Sequence, residues 1–533
     1  MESNINYLKI GKATELTGKD RKFYRLLEIL PGFLSIFTLV ILLVLSYFKP
    51  VWVAYFIIAF DVYWLLLVIY MAIFLISSYR KLNQGLATDW KGKCERLEKK
   101  QFQDVDFINE LSTDSLARGG VLWTDLWQLI VLPTSFESAE IIRSCLQALV
   151  SDGYPTSRMI VNLAMEERAG EAARERAKII QSEFGDKFGH FMITWHPDGI
   201  VGELKGKGAN QAWGIQIIRR EIIEKENLEQ DKILVSVFDI DTVVEAGYFF
   251  ALTYKFLSVS DPYHTSYQPI PVYHNNIWDS PFFSRLAASS NTFWQMIMQI
   301  RQESLVTYSS HSMTFLALKE IGYWSTTMVS EDSRIFWHCL LHYNGHYRVE
   351  PLYYKVSMDV THDRNAWQTA KSLYKQQRRW AWGSENIPYL IFNTTKRWKT
   401  VDRGKLLGHI FIQIYGFWSW STNALIIAVI GWMPMLLGGN RFNSSVLSGN
   451  LPAITSNFMN VAMVGLVLSA VISSLLLPER PRKYGPWKNI RMIIEWVFVP
   501  FTIIIFGSIP CFDAQIRLMR GKYMGFWITP KSR

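Results

Sequence analysis

The sequence predicts an α/β domain with a mostly parallel central sheet, inserted between N-terminal and C-terminal transmembrane helices. Three observations carry this. The 533-residue chain is 49% hydrophobic, and four long runs with at most one charge sit at its two ends. The segment between them, roughly 90 to 400, has ordinary soluble composition. Within that segment short apolar runs alternate with helical patterns, the signature of strands joined by right-handed crossovers.

The apolar runs come first. Residues 29–48 carry no charge, 51–79 carry only Asp61, and 410–440 and 443–478 are uncharged. Each holds enough residues to cross a hydrocarbon core about 30 Å thick. Buried core helices rarely lack charge on every face. The first run is not expected to be a cleavable leader, because the second follows after only Lys49 and Pro50. A fifth run, 496–512, is uncharged but short and holds Pro500 and Pro510. It is expected to be re-entrant or broken, returning the tail to the domain's side as a cover near the active site.

Basic residues orient these runs. Lys9, Lys12, Lys19, Arg21, Lys22 and Arg25 precede the first, Arg80, Lys81, Lys91, Lys93 and Arg96 follow the second, and Arg480, Arg482, Lys483, Lys488 and Arg491 follow the fourth. The loop 438–456 has only Arg441. The soluble domain is therefore expected in the cytoplasm, on a plasma (inner) membrane. Asp61 reads as a glycan-path or partner residue, or as a carboxylate snorkelling from the outer end. Trp418, Trp420 and Trp432 mark interfacial depth or stack on a glycan. Cys94, Cys145, Cys339 and Cys511 show no C-x-x-C spacing, which fits a reducing compartment and argues against a disulfide framework or zinc ribbon. No nucleic acid is expected as a partner.

The domain's elements follow in order. "DLWQLIVLPTSFES" gives a strand ending at Leu132, and a helix starts near Ser138 and closes at Gly153. "SRMIVNLAMEE" is the second strand, "GEAARERAKIIQSEFG" a helix, "FMITWHP" a third strand, "KGKGANQAWGIQIIRREII" a helix and "KILVSVFDID" a fourth strand. That strand ends in Asp239 and Asp241. Residues i and i+2 of an extended segment face the same way, so both carboxylates are expected to face one spot beyond the sheet edge. Such hard-oxygen pairs suit Mg²⁺ or Mn²⁺ bridging to phosphates; a plain loop start is the other reading.

Three further stretches carry chemistry. Glu331 and Asp332 follow a turn and open an amphipathic helix, as capping carboxylates or as acid–base groups. Gln376, Arg379 and Trp380 lie on a helix whose aromatic and apolar spacing also suits an interfacial position. Lys205, Lys207 and Asn210 stand among glycines. His338, His342 and His346 are spaced by four, but Asn344 and Gly345 break the helix between the last two, so no metal cluster is expected.

Taken in this order, the stretches resemble the membrane-embedded glycosyltransferases of family 2, the group of cellulose and hyaluronan synthases, over roughly residues 120 to 400 and the flanking spans. That family has a GT-A nucleotide-sugar domain with the motifs D-x-D, T-E-D and Q-x-x-R-W. They stand here as Asp239-Ile240-Asp241, Ser330-Glu331-Asp332 and Gln376-Gln377-Arg378-Arg379-Trp380. "LPTSFES" resembles the family's P-x-x-N-E start, with Thr134 and Glu137, and the lysine loop its K-x-x-A-x-N segment. Ser330 replaces threonine. Glu166 ends the strand where many members carry paired aspartates. "TYSSHSM" replaces the aromatic-Cys-Gly motif of the processive synthases, which puts long-polymer synthesis in question.

The resemblance implies an inverting, metal-dependent hexosyltransferase using a nucleotide-sugar, a UDP-sugar foremost. Asp332 would be the base, and Asp241 with Asp239 would hold Mg²⁺ or Mn²⁺. Thr134, Glu137, Glu166, Lys205, Lys207, Asn210, Asp239, Gln376, Arg379 and Trp380 would bind the donor, and Glu331 and Trp380 the acceptor. The acceptor would be a growing cell-envelope glycan or glycolipid, with the bilayer and accessory envelope proteins as further partners. A non-processive lipid glycosyltransferase and a non-catalytic scaffold are the competing readings. The expected organisation is an N-terminal segment 1–28, two spans in 29–79, a linker 80–119, the GT-A domain 120–365, interfacial helices 366–405, a membrane region 406–512 and a basic tail 513–533.

Overall fold

The computed structural model describes residues 6–100, 121–527 and 529. Much of the expected linker, and Lys531 and Arg533 of the tail, lie outside these residues.

The α/β domain is built on one sheet of eight strands: β1 (Trp127–Pro133), β2 (Met159–Glu166), β3 (His190–His196), β4 (Ile233–Val237), β5 (Val243–Val244), β6 (Thr265–Tyr273), β7 (Ser312–Thr314) and β8 (Arg348–Met358). Their order is β3-β2-β1-β4-β7-β6-β8-β5. The first four run parallel, and β6 pairs parallel with β8, while β7 and β5 are antiparallel to their neighbours. The strand run is as the sequence alternation predicts; the antiparallel strands come later in the chain, where no helix–strand alternation was read.

Alternation along the strands sends side chains to two cores. Leu129, Val131, Ile160 and Val235 pack with Ala212, Ile215 and Ile218 of the helix Lys207–Ile218 on one face. Ile130, Leu132, Val161 and Leu163 pack with Ile141, Leu146 and Ile180 of the helices Ala139–Ser151 and Glu171–Phe184 on the other. Ser138 caps its helix by accepting the N–H of Ile141, an interaction typically worth about 1 kcal/mol.

Apolar helices flank the domain on both sides in sequence. Among the described residues four are long and apolar enough to cross a membrane: Gly18–Phe48, Pro50–Ala87, Val446–Leu475 and Trp487–Met519. The pair Arg403–Ala428 and Ile430–Leu437, bent by 40°, makes a fifth if taken as one span. Asp61 does not snorkel. It is 1% exposed and accepts a hydrogen bond from Thr455 Oγ1 at 2.7 Å, locking the second helix to Val446–Leu475.

The last helix corrects the expectation of a short, broken segment. It runs 33 residues from Trp487 to Met519, with a 3₁₀ turn at Glu495–Phe498 and a π turn at Ile504–Ser508 taking up the irregularity that Pro500 imposes. Counting only the uncharged run missed its charged ends, which are neutralised against the domain. Glu495 pairs with the buried Arg285 of the helix Phe282–Ile300 at 2.5 Å, and Asp513 pairs with Arg378 at 2.8 Å. Phe506, between them, stacks on Phe283. The helix thus lies along the domain, and its end returns to the first helix, where Arg25 donates to the carbonyl of Leu518 at 2.8 Å. Gly32 allows that approach, since a Cβ there would stand 2.8 Å from the carbonyl oxygen of Gln515.

Candidate active site

The strand order β3-β2-β1-β4 reverses its winding between β1 and β4, and ligands of such sheets bind at that crevice, beyond the strands' carboxyl ends. Thr134 follows β1 and Asp239 follows β4, so both lie at this point. β4 ends at Val237, four residues short of Asp241, where the strand was expected to close. The chain instead turns, with the N–H of Thr242 donating to the carbonyl of Asp239 at 2.8 Å.

The strand therefore stops short of the pair, which corrects the expected extended D-x-D, and the two carboxylates meet different partners. Asp239 stays partly exposed and meets Lys207. Asp241 is 1% exposed, and its Oδ2 accepts the backbone N–H of Asp359 at 3.0 Å. Asn275 donates to the Asp241 carbonyl and to Asp359 Oδ1, closing a small polar knot under the turn.

Lys207 opens the helix Lys207–Ile218 and is buried. Its Nζ lies 2.8 Å from Asp239 Oδ1 and 2.9 Å from both carboxylate oxygens of Asp332. Burial works against its charge, but the Asp239 and Asp332 carboxylates outweigh it and keep the ammonium protonated. One buried cation thus joins two motifs 93 residues apart, from 239 to 332. Lys205 does not share in this; it is exposed and pairs with Asp198 at 2.6 Å. Asn210 is also turned inward, donating to the carbonyl of Ala164 at 2.6 Å and tying the helix to β2.

Glu331 and Asp332 begin the helix Glu331–His342. Glu331 is 2% exposed, and burial, then the charge of Asp332, pushes its carboxyl up to about 8. It carries a proton at neutral pH, and the Asp332 carboxylate beside it faces Lys207. The backbone carbonyl of Asp332 is fixed by Thr307 Oγ1 at 2.6 Å.

The helix Ala366–Ala381 brings the third motif. Gln376 accepts from Thr361 Oγ1 at 2.6 Å, and Trp380 stands 6.0 Å from the Tyr273 ring. Burial, then the charges of Asp239 and Asp241, pushes the Tyr273 phenol up. Arg379 lies 4.9 Å from the centroid of Phe526, with its Nε buried and unpartnered. The tail packs against this region. Phe526 rests on Gly206, where a Cβ would stand 2.6 Å from its ring, and Trp527 lies 5.1 Å from Lys375.

The remaining expected residues sit at the edge of β1 and β2 and are satisfied internally. Glu137 accepts from Thr134 Oγ1 at 3.0 Å and from the N–H of Ser135 at 2.8 Å. Glu166 pairs with Arg168. His338, His342 and His346 do not converge. Asn344 (φ 55°) and Gly345 (φ 100°) turn the chain before His346. Sequence reading missed Asp359, Tyr273, Thr307 and Phe526, none of which carries a local signal.

Among the described residues no group of three or more His, Cys, Asp or Glu side chains is placed to hold a metal ion. A divalent cation held by one or two carboxylates, with phosphate oxygens and water completing its shell, fits Asp239 and the neighbouring Asp241.

Residues 234–474, just under half of the chain, match the model of the family described as glycosyl transferase family group 2. No curated protein matches the chain. Among solved structures, a mannosyltransferase, PcManGT, from Pyrobaculum calidifontis in complex with GDP-Man and Mn²⁺ aligns at 11% identity and a TM-score of 0.41, covering 76% of this chain and 98% of that one. TarS of S. aureus aligns at 11% identity and a TM-score of 0.34, covering 66% of this chain and 55% of that one. Its residues 1–349 in complex with UDP-GlcNAc align at 11% and 0.30, covering 63% and 90%. At these scores the likeness carries no weight for substrate or metal.

Proposed function

We propose that the chain, whose residues 234–474 match glycosyl transferase family group 2, is a membrane-bound inverting enzyme. It transfers a sugar from a nucleotide-sugar donor, a UDP-sugar foremost, to a growing cell-envelope glycan or glycolipid. The observation that carries this is Lys207 held between Asp239 and Asp332. It supports reading Asp239 as the phosphate-side carboxylate and Asp332 as the acceptor-side one, since both meet at this lysine.

In this reading Arg379 receives the diphosphate in its planar fork, and Lys207 offsets its charge. Asp332 takes the proton of the acceptor hydroxyl as that oxygen attacks the sugar carbon and the nucleoside diphosphate leaves from the opposite face. Trp380 and Tyr273 offer aromatic faces to the sugars. A bound Mg²⁺ or Mn²⁺ would supply charge neutralisation at the departing phosphate, with Asp239 and Asp241 as its protein ligands. The basic residues flanking the spans support a cytoplasmic domain drawing on cytoplasmic donors.

Purified protein in detergent, given manganese and a panel of nucleotide sugars, is expected to release nucleoside diphosphate with one of them. Mass spectrometry of the product then identifies sugar and acceptor. A non-catalytic scaffold releases none.

A further inference from the structure

Ser330 stands at the N-cap of the helix that opens with Glu331 and Asp332, yet its hydroxyl does not cap that helix. It donates instead to Glu385 Oε1 at 2.6 Å. The other oxygen of Glu385 accepts the indole N–H of Trp382 at 2.8 Å. Trp382 and Glu385 belong to the 3₁₀ turn directly after the helix that bears Gln376, Arg379 and Trp380. A single buried carboxylate, 7% exposed, therefore ties the start of one motif helix to the end of the other.

The surroundings make this tie stiff. Arg334, 3% exposed, donates its Nε to Asn386 Oδ1 at 2.7 Å and lies 3.7 Å from the Tyr389 ring centroid. Asn386 donates to Ser333 Oγ at 3.0 Å, and Ser333 donates to the carbonyl of Ser330 at 3.2 Å. Removing a carboxylate from water costs several kcal/mol in general, so a purely structural tie would be met more cheaply by apolar packing. Two acceptor oxygens aimed at two different segments do what apolar packing cannot: they fix the relative position of those segments.

We propose that Glu385 is a positioning residue for Asp332, acting through Ser330 to set the acid–base carboxylate against the helix that holds Arg379 and Trp380. This rests on the reading of Asp332 as the base. Ser330 lies two residues before Asp332, and Trp382 two residues after Trp380, so a shift of the tie passes directly to both. It also accounts for serine where the resembled motif has threonine, since both supply the hydroxyl that Glu385 needs.

The test is steady-state kinetics on the full chain in detergent, with nucleotide release as readout. Misplacement of reacting groups by about 1 Å can cost on the order of 100-fold, so Ser330→Ala and Glu385→Ala are each expected to lower kcat at least about tenfold, with donor KM nearly unchanged. Ser330→Thr and Glu385→Gln, which preserve the hydroxyl and a bridging amide, are expected to restore most of the rate. The double alanine variant is expected to be no slower than the worse single one. Full turnover by Ser330→Ala, losses that multiply in the double variant, or a change in donor KM alone would overturn the proposal. If Glu385→Ala does not fold, the Ser330→Ala and Ser330→Thr pair decides it. A wild-type enzyme without nucleotide release would instead defeat the proposed function itself.

Discussion

Lys207 reaches across the crevice to Asp332, its Nζ 2.9 Å from both carboxylate oxygens. The same ammonium touches Asp239 at 2.8 Å. In the proposed reading, the cation that pairs with this base also stands where a diphosphate would place negative charge, so donor and base would share one counter-ion.

Replacing that ion exposes the dependence. Lys207→Met leaves Asp239 and Asp332 facing each other without compensation. Breaking a fully buried pair costs about 3–5 kcal/mol, and the partial exposure of both aspartates should reduce this to about 2–3 kcal/mol. A lower apparent Tm and loss of nucleotide release are expected together. A variant as stable as wild type would mean the three groups are not held as described.

Asp239 and Asp241 should separate under mutation. Asp239→Asn is expected to weaken manganese-dependent donor binding with little effect on Tm, because this side chain faces the crevice. Asp241→Ala additionally strands the N–H of Asp359, which in general costs about 1–3 kcal/mol, and should lower Tm as well as abolish transfer. Titration calorimetry with nucleoside diphosphate and manganese, beside thermal unfolding, reads both. Unchanged metal-dependent binding in Asp239→Asn would remove that residue from the metal reading.

Glu331 makes stability pH-dependent. Its carboxyl titrates near 4.5 when unfolded and is pushed up to about 8 by burial, so the folded chain binds the extra proton between these values. The stabilising contribution is complete below the lower value and is lost as pH rises toward the upper one. Glu331→Gln, which cannot ionise, should flatten the fall of Tm between pH 5 and 8. An unchanged slope would place the titration elsewhere.

The tail returns to the domain side, where Tyr523 donates to Glu28 and Phe526 lies over Arg379. A cysteine at Ser532, the natural probe from sequence, lies outside the described residues; Lys522→Cys is exposed and tests the same point. The four native cysteines are buried. In intact cells Lys522→Cys is expected to resist a membrane-impermeant thiol reagent. Labelling from outside would make Trp487–Met519 a complete crossing.

The α/β alternation was legible because the periodicity of each element is local, and Ser138 and Gly153 punctuate it. The three motifs were legible by residue type, yet their geometry was not. A turn after Val237 cannot be told from four more strand residues by composition, so the strand was read too long. Lys205 and Lys207 are equivalent in a glycine-rich loop until the helix start selects one. Asp359, Glu385 and Phe526 meet the site through contacts between segments 55 to more than 100 residues apart, which leave no local trace. The last helix was underestimated because its charged turns are satisfied by Arg285 and Arg378, partners that a count of apolar residues cannot see.

The central claim is that Asp332 acts on the acceptor and not on the donor. Asp332→Asn keeps the shape of the side chain and removes its basicity. Donor affinity and turnover measured side by side on this variant are expected to show near-normal nucleotide-sugar binding with turnover lowered by about 10²–10⁴-fold, the range that positioned acid–base catalysis supplies. Parallel loss of binding and rate, or a rate close to wild type, would contradict it.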